Sequence, residues 1–416
     1  MIDAQGNQLV FLLCVPRSGS SLVTTILQNH RQVFATQEMW YLMSLYDLPA
    51  EQRRPYGGGE IIHQFYNAVL PETVFEQASR SFAREVYNGL MRTSGATHVV
   101  DKSPRYYYLL EFLDRLFPQS RRVWLIRNPL AILASYKNVN ARSGSFNLKQ
   151  DLESADFNMK MTDLTAGLFR YYHYFSTDSP YIYRCKYETL VAEPEEETRR
   201  LCRFIGVPYE EGIERYGDYM DGAKAEMYYS MGVGDPYLSK HREPHQDSVN
   251  SWKDRLEPEE IDAYCRILGA DIFHELGYSE ELAEAERITG RHYQAQPDWA
   301  VITRRAEQLQ AKSGCQWKPR YQITTEEVDH WLTDSIVSAE ASRPEVSGMQ
   351  DEVSQLRITL RALEKRLEKS HSEQDRLRRQ LHRVQTKIDR VKSLVPFGSR
   401  ITGWVSQIVQ HREGKV

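Results

Sequence analysis

The run Leu9-Val-Phe-Leu-Leu-Cys-Val15 breaks into the turn Pro16-Arg17-Ser18-Gly19-Ser20-Ser21, which passes directly into Ser21-Leu-Val-Thr-Thr-Ile-Leu27. Seven apolar residues without alternation predict a strand covered on both faces, as in a parallel sheet. The stretch after the turn has helical length and spacing. A strand, a small-residue turn and a helix make the opening unit of an α/β fold. The chain then repeats the unit: short apolar runs at Thr97–Val100, Arg122–Ile126 and Tyr181–Lys186 are separated by helical stretches at Tyr106–Phe117, Leu130–Asn138 and Glu195–Ile205. That alternation predicts right-handed crossovers around a central, mostly parallel sheet, with ligands at the carboxyl ends of the strands, where the first turn lies. Mainly helical, Tyr- and Phe-rich stretches between Glu38 and Gly95, and from Lys149 to Tyr174, read either as walls of an acceptor cleft or as packing helices.

The 416 residues, 41% apolar and 26% charged, suffice for one large domain with an appendage. A net charge of -4 gives no electrostatic ground for nucleic acid, but the charge is uneven. Residues 346–416 hold 15 Lys/Arg against 8 Asp/Glu, a surplus of 7, which leaves -11 for the rest. Five scattered cysteines (Cys14, Cys185, Cys202, Cys265, Cys315) without a CxxC pair argue against a disulfide framework or a zinc site, and no metal is expected. The N-terminus lacks a basic-then-apolar signal pattern, and Leu9–Val15 is too short to span a bilayer, so a cytoplasmic protein is expected.

The C-terminal part follows another period. Val346, Met349, Val353, Leu356, Leu360, Leu363 and Leu367 step by three and four, and the frame resumes through Leu377, Leu381, Val384, Ile388 and Val391. This predicts a coiled coil over 346–395, roughly 70 Å long and able to join copies of the chain into a homo-oligomer; a long helix folded back on the body is the alternative. Ser370 and Gln374 take core positions midway, and Pro396 ends the helix. Residues 291–345 read as a helical connector. Residues 396–416, with Phe397, Ile401, Trp404, Val405, Ile408 and Val409 at helical spacing, read as an amphipathic tail that suits a membrane surface or an oligomer cap.

The chemistry starts at the first turn. A loop of small residues running from strand to helix offers successive N–H groups and the positive end of a helix dipole, both of which favour a phosphate-like anion. Ser18, Gly19, Ser20 and Ser21 are its candidates, and Arg17 enters from the strand side. GxxxxGK followed by Ser or Thr is absent, which disfavours an ATP-dependent P-loop phosphotransferase. A second element, Arg121-Arg-Val-Trp-Leu-Ile-Arg127-Asn128-Pro129 continuing to Ser135, is a strand ending in arginine, a turn and a helix with proline in its first turn. Arg127 and Ser135, on rigid elements, can together hold one phosphate.

These two segments resemble the 5'-phosphosulfate loop and the 3'-phosphate motif of sulfotransferases that use 3'-phosphoadenosine 5'-phosphosulfate (PAPS), of the bacterial and carbohydrate-directed kind. The family patterns are PKSGTTW and RNPxDxxxS; here Arg17 replaces lysine, Ser20 and Ser21 the threonines, and Leu22 the tryptophan. Tyr187-Glu188-Thr-Leu and Phe204-Ile-Gly-Val-Pro208 look like the family's YEDL and FLGxP segments, which implies Tyr187 near the adenine. Lys240-His241-Arg242 through Ser248 and Trp252 resembles the basic loop over the 3'-phosphate, which implies Lys240 and Arg242 as donor contacts. The resemblance covers about residues 8–280 and implies a sulfotransferase domain over 1–290.

Sulfuryl transfer needs a base for the acceptor hydroxyl and cations for the leaving phosphate. The phenol-directed enzymes use a histidine in KTHxP. The corresponding Val100-Asp101-Lys102-Ser103-Pro104-Arg105 has none, and His98 falls before it in the strand, where it reads as packing. The resemblance to glycan and protein-tyrosine sulfotransferases then implies a carboxylate, Glu38 in Phe34-Ala-Thr-Gln-Glu38-Met-Trp40, with Arg17 near the bridging oxygen and Lys102 as a second cation near the sulfuryl oxygens. A saccharide acceptor is expected, with Trp40, Tyr41 and Tyr106–Tyr108 as stacking candidates. A catalytically inactive scaffold on a coiled-coil stalk is the remaining alternative.

Overall fold

The computed structural model describes residues 1–49, 58–140, 147–218 and 241–325, together with Gln374 and Arg378. The chain divides into two units, 1–355 and 356–416, and the sheet and its helices belong to the first. The expected coiled coil and amphipathic tail, and Lys240, lie outside the described residues, apart from the two isolated positions.

Five strands, β1 (Leu9–Leu13), β2 (Val33–Ala35), β3 (His98–Lys102), β4 (Arg121–Ile126) and β5 (Ile182–Lys186), form one sheet in the order β2-β3-β1-β4-β5. Every pairing is parallel. The first apolar run is the central strand, and its residues divide between two cores. Leu9, Phe11 and Leu13 pack on one side with Tyr87, Tyr106 and Phe117; Val10, Leu12 and Cys14 pack on the other with Val23, Ile26 and Leu201. Burial on both faces is why the run shows no alternation.

Helix α1 (Ser20–Asn29) follows β1, and α2 (Pro129–Asn140) follows β4. Asn128 caps α2, its Oδ1 accepting from the Leu130 amide at 2.9 Å, with Pro129 at the first helical position. Among the described residues, the stretches expected to be helical and aromatic are mainly so, with two widened π-helical segments at Phe65–Val69 and Asp163–Gly167. Among the described residues no helix is long and apolar enough to cross a membrane.

Three boundaries differ from expectation. β3 runs to Lys102 rather than Val100, because the charges of Asp101 and Lys102 are answered inside the protein. The fully buried Asp101 accepts from Tyr87 Oη at 2.6 Å and Tyr106 Oη at 3.0 Å. The helix expected over Tyr106–Phe117 splits into a tight turn, Tyr106–Tyr108, and a helix, Leu110–Leu116. Packing also continues past residue 290. The helix α3 (Trp299–Ser313) buries Ile302 and Leu309 in the core that holds Phe11, and Trp317, Tyr321 and Ile323 pack against it.

Asp114 fastens that last segment. It accepts from Arg122 Nη2 at 2.8 Å and Tyr174 Oη at 2.6 Å, and from Tyr321 Oη at 2.9 Å and the Thr324 amide at 3.0 Å. Arg122 and Asp114 side chains are both fully buried. Asp114→Asn therefore strands a buried guanidinium, and we expect a loss of about 3–5 kcal/mol of unfolding free energy, read by urea denaturation of the full chain. A change below about 1 kcal/mol, the scale of an ordinary surface substitution, would remove Asp114 as the hub.

Candidate active site

At the carboxyl ends of β1, β3 and β4 lies a cleft of about 590 Å³. Of the residues singled out in the sequence, Arg17, Gly19, Ser20, Ser21, Glu38, Arg127, Ser135 and Tyr187 line it together. Ser18, Lys102 and Arg242 do not.

The first turn is held in an unusual backbone. Arg17 has φ 72° and Gly19 φ 99°, so two left-handed residues sit within three positions. For arginine that conformation is strained and persists only where the surroundings impose it. Gly19 is required twice over, since a Cβ there would also collide with the Tyr187 ring. Ser18 is buried and bonds Val15 O at 2.8 Å, closing the turn on itself. Gly19 precedes α1 as N-cap without a capping side chain.

Arg127 projects from the end of β4 into this turn. Its Nη1 donates to Arg17 O at 2.9 Å and its Nη2 to Ser248 O at 3.2 Å. The guanidinium lies 4.2 Å from the Tyr187 ring centroid, and the Tyr187 hydroxyl bonds Ser248 Oγ at 2.8 Å. Arg127 is 7% exposed, its Nε has no hydrogen-bond partner, and among the described residues no carboxylate pairs with it. Burial accordingly lowers its pKa from the usual guanidinium value. Glu188 fixes the turn beyond it: Oε1 accepts from the Asn128 amide at 3.0 Å, and Oε2 from Tyr278 Oη at 2.7 Å. Arg17 Nε donates to Ser135 Oγ at 3.1 Å, so the two expected phosphate subsites touch.

Across the cleft, Glu38 is gripped by both oxygens. Oε1 accepts from Lys102 Nζ at 3.2 Å and Oε2 from Trp40 Nε1 at 3.2 Å. Glu38 remains 23% exposed on the cleft side, whereas the Lys102 side chain is 1% exposed. Lys102 is thus a buried counter-charge behind Glu38 and not a cleft cation. Beside it, burial pushes the Asp101 carboxyl up to about 6, against the hydrogen bonds from Tyr87, Tyr106 and Ser103.

Trp40 alone of the stacking candidates lines the cleft; Tyr106, Tyr107 and Tyr108 are buried in the core, where their hydroxyls bond Asp101, Asp163 and Asp47. Arg105 lies 5.7 Å from the Trp40 ring and is clamped by Asp163, with Nε at 3.0 Å from Oδ1 and Nη2 at 2.9 Å from Oδ2. Tyr107 and Tyr136 hydroxyls complete the shell of the fully buried Asp163. Burial works against the Arg105 charge, but the bonds and charge of Asp163 raise its pKa.

Arg242 turns away, donating to Gly217 O at 2.7 Å. The basic loop instead brings His241, His245 and Arg255 to the cleft. Arg105, Lys160 and these three are cleft residues to which the sequence alone attached no role. Arg105 stands next to a motif segment, and the two histidines four apart within the basic loop are a usable signal. His98 sits at the amino end of β3, away from the cleft, where burial and then the Arg121 charge push it down to about 4.

Residues 9–211 match the sulfotransferase family model. The chain is 27% identical over 341 residues to nodulation protein NoeE of Sinorhizobium fredii (strain NBRC 101917 / NGR234), covering 77% of this chain and 80% of that protein. It is 22% identical over 341 residues to protein-tyrosine sulfotransferase A of Caenorhabditis elegans, covering 80% and 82%. The solved sulfotransferase domain from the curacin biosynthetic pathway matches 65% of this chain and 97% of its own at 22% identity, with a TM-score of 0.42.

Gly19→Ala should strain the turn and displace Tyr187. We expect a loss of about 1–2 kcal/mol from the left-handed backbone alone, measured by thermal unfolding. Adding Tyr187→Ala should recover only the part due to the collision. A neutral Gly19→Ala would mean that the turn is not held as described.

Proposed function

Because residues 9–211 belong to the sulfotransferase family, we propose that the chain transfers a sulfuryl group from PAPS to a hydroxyl, with Glu38 as general base and a saccharide as acceptor. The observation that carries the donor assignment is Arg127, a buried guanidinium with an unused Nε and no acidic partner among the described residues. Glu188 attracts Arg127 through space without pairing with it, so the dry cation is incompletely neutralised, and a bound anion would complete that balance. Arg127 and Ser135 would hold the 3'-phosphate. The Pro16–Ser21 turn would hold the 5'-end with backbone N–H groups, which approach a ligand closely because Gly19 has no Cβ. Arg17 leans on Ser135, a short swing from the turn that carries it.

In the reaction, the acceptor oxygen forms a bond to sulfur while the bond from sulfur to the 5'-phosphate oxygen breaks. The electron pair stays on that oxygen, the acceptor proton passes to Glu38, and 3',5'-bisphosphoadenosine leaves beside a sulfate ester. Arg17 would answer the charge growing on the leaving oxygen. Glu38 lines the cleft as a carboxylate held by Lys102 and Trp40, so its orientation is set before an acceptor arrives. Lys102 acts in this scheme through Glu38. The 38% exposed indole of Trp40 favours a sugar ring as the acceptor.

Glu38→Gln and Arg17→Ala should each lower kcat by on the order of 10² or more, followed as labelled-sulfate transfer in a screen of saccharide, lipid, peptide and phenol acceptors. Near-native turnover in a folded variant would remove that residue from the mechanism. Arg127→Ala should weaken binding of 3',5'-bisphosphoadenosine about tenfold to a hundredfold, and an unchanged dissociation constant by calorimetry would refute its phosphate role.

A further inference from the structure

The basic loop is pinned over the cleft at both ends. Toward its start, the Gly217 amide donates to Arg242 O at 2.8 Å and the Tyr216 hydroxyl to Glu243 O at 3.2 Å. Toward its end, the Ser248 carbonyl accepts from Arg127, and the Ser248 and Tyr187 hydroxyls share a hydrogen bond. His245 stands three residues before Ser248, and it lines the same cleft as Arg127. The imidazoles of His241 and His245 stack with centroids 3.7 Å apart and planes 25° apart, and both line the cleft.

Two imidazolium ions at that spacing repel strongly, and the described cleft adds five more cations in Arg17, Arg105, Arg127, Lys160 and Arg255, of which Arg105 is paired with Asp163. The negative groups on hand are weaker. Asp247 approaches His245 Nδ1 at 3.4 Å but is 82% exposed, and Glu38 is already paired with Lys102. Within the loop, Glu243 is exposed and Arg242 is turned to Gly217. Tyr136, Tyr187 and Tyr216, further titratable groups at the cleft wall, use their hydroxyls on Asp163, Ser248 and Glu243. Burial, then His241, hold the His245 pKa below the ordinary histidine value.

A ligand bearing a phosphate reverses this balance, because each phosphate monoester brings a charge of about -1.5 to -2. We infer that His241 and His245 are anion-binding residues of the donor site, taking up a proton from solvent as a phosphate-bearing ligand enters. The inference rests on the donor reading above. Donor affinity then rises as pH falls through the histidine range, a dependence that arginines alone do not give.

Calorimetry of 3',5'-bisphosphoadenosine binding to the full chain at pH 6 and pH 8 tests it, with the His241→Gln/His245→Gln double variant alongside. The intact protein should gain roughly threefold to sixfold more affinity between pH 8 and pH 6 than the variant, the effect of raising one imidazole by one unit within that window. Buffers of different ionisation heat should show the extra proton taken up by the intact protein alone. Comparison with the variant removes the proton linkage of the ligand's own phosphates. Parallel pH dependences would overturn the inference while leaving the donor reading intact. A variant more than tenfold weaker at pH 8, with no change in pH slope, would make the histidines packing residues. No binding by the intact protein at either pH would overturn the donor reading itself, and the inference with it.

Discussion

Arg127 is the constraint on which the rest of the cleft depends. A guanidinium at the end of a central parallel strand, nearly out of water, has to be satisfied by whatever surrounds it. Its hydrogen bonds go to two carbonyls, those of Arg17 and Ser248, and it lies against the face of Tyr187, while Glu188 acts on it only through space. Each of these ties a separate part of the chain to the same cation. The first turn is drawn in through Arg17 O, the basic loop through Ser248 O, and the end of β5 through Tyr187. A carboxylate would neutralise the cation more fully, but it would also fill the place that an anion takes. The same set of partners holds the three parts together and leaves the guanidinium without a paired carboxylate among the described residues.

The side of the cleft proposed for the acceptor is arranged on the opposite principle. There each of the two cations has its carboxylate: Lys102 with Glu38, and Arg105 with Asp163. Asp163 and Lys102 are buried, while Glu38 and Arg105 reach the cleft. The buried member of each pair fixes the direction of the exposed one, and Trp40 touches both exposed members. Fully satisfied networks of this kind rigidify a site at little electrostatic expense. One half of the cleft thus holds a cation without a paired carboxylate, and the other holds two paired ones.

Much of this was legible in the sequence, for identifiable reasons. β1 and the turn after it were readable because burial on both faces leaves an unbroken apolar run, and because a left-handed turn demands small residues. Arg127 and Ser135 were readable because strand, Asn-Pro turn and helix fix their separation locally. What was not legible depended on partners distant in the chain. The extension of β3 through Asp101 and Lys102 required Tyr87, Tyr106 and Glu38 to answer two charges in a central strand. The tyrosines 106–108 looked like a sugar platform because nothing local reveals that Asp47, Asp101 and Asp163 take their hydroxyls into the core. The continuation of the body to residue 325 turned on Asp114, whose partners Tyr321 and Thr324 lie more than two hundred residues away.

Lys102 and Arg242 depart from expectation for a common physical reason. Motif position locates a residue along the chain but not the direction of a long side chain, and both cations found better partners than the cleft offered. For Lys102 that partner is Glu38, and the exchange alters the chemistry expected of the pair. A lysine facing the sulfuryl group would act on substrate directly; a lysine buried behind the carboxylate orients that carboxylate. Trp40 supplies the second bond to the same carboxylate from a left-handed backbone at φ 57°, which a residue without a local task would not retain. The strain at Trp40 and the strain at Arg17 therefore stand on the two sides of one cleft, each holding a group that must point inward before any ligand is bound.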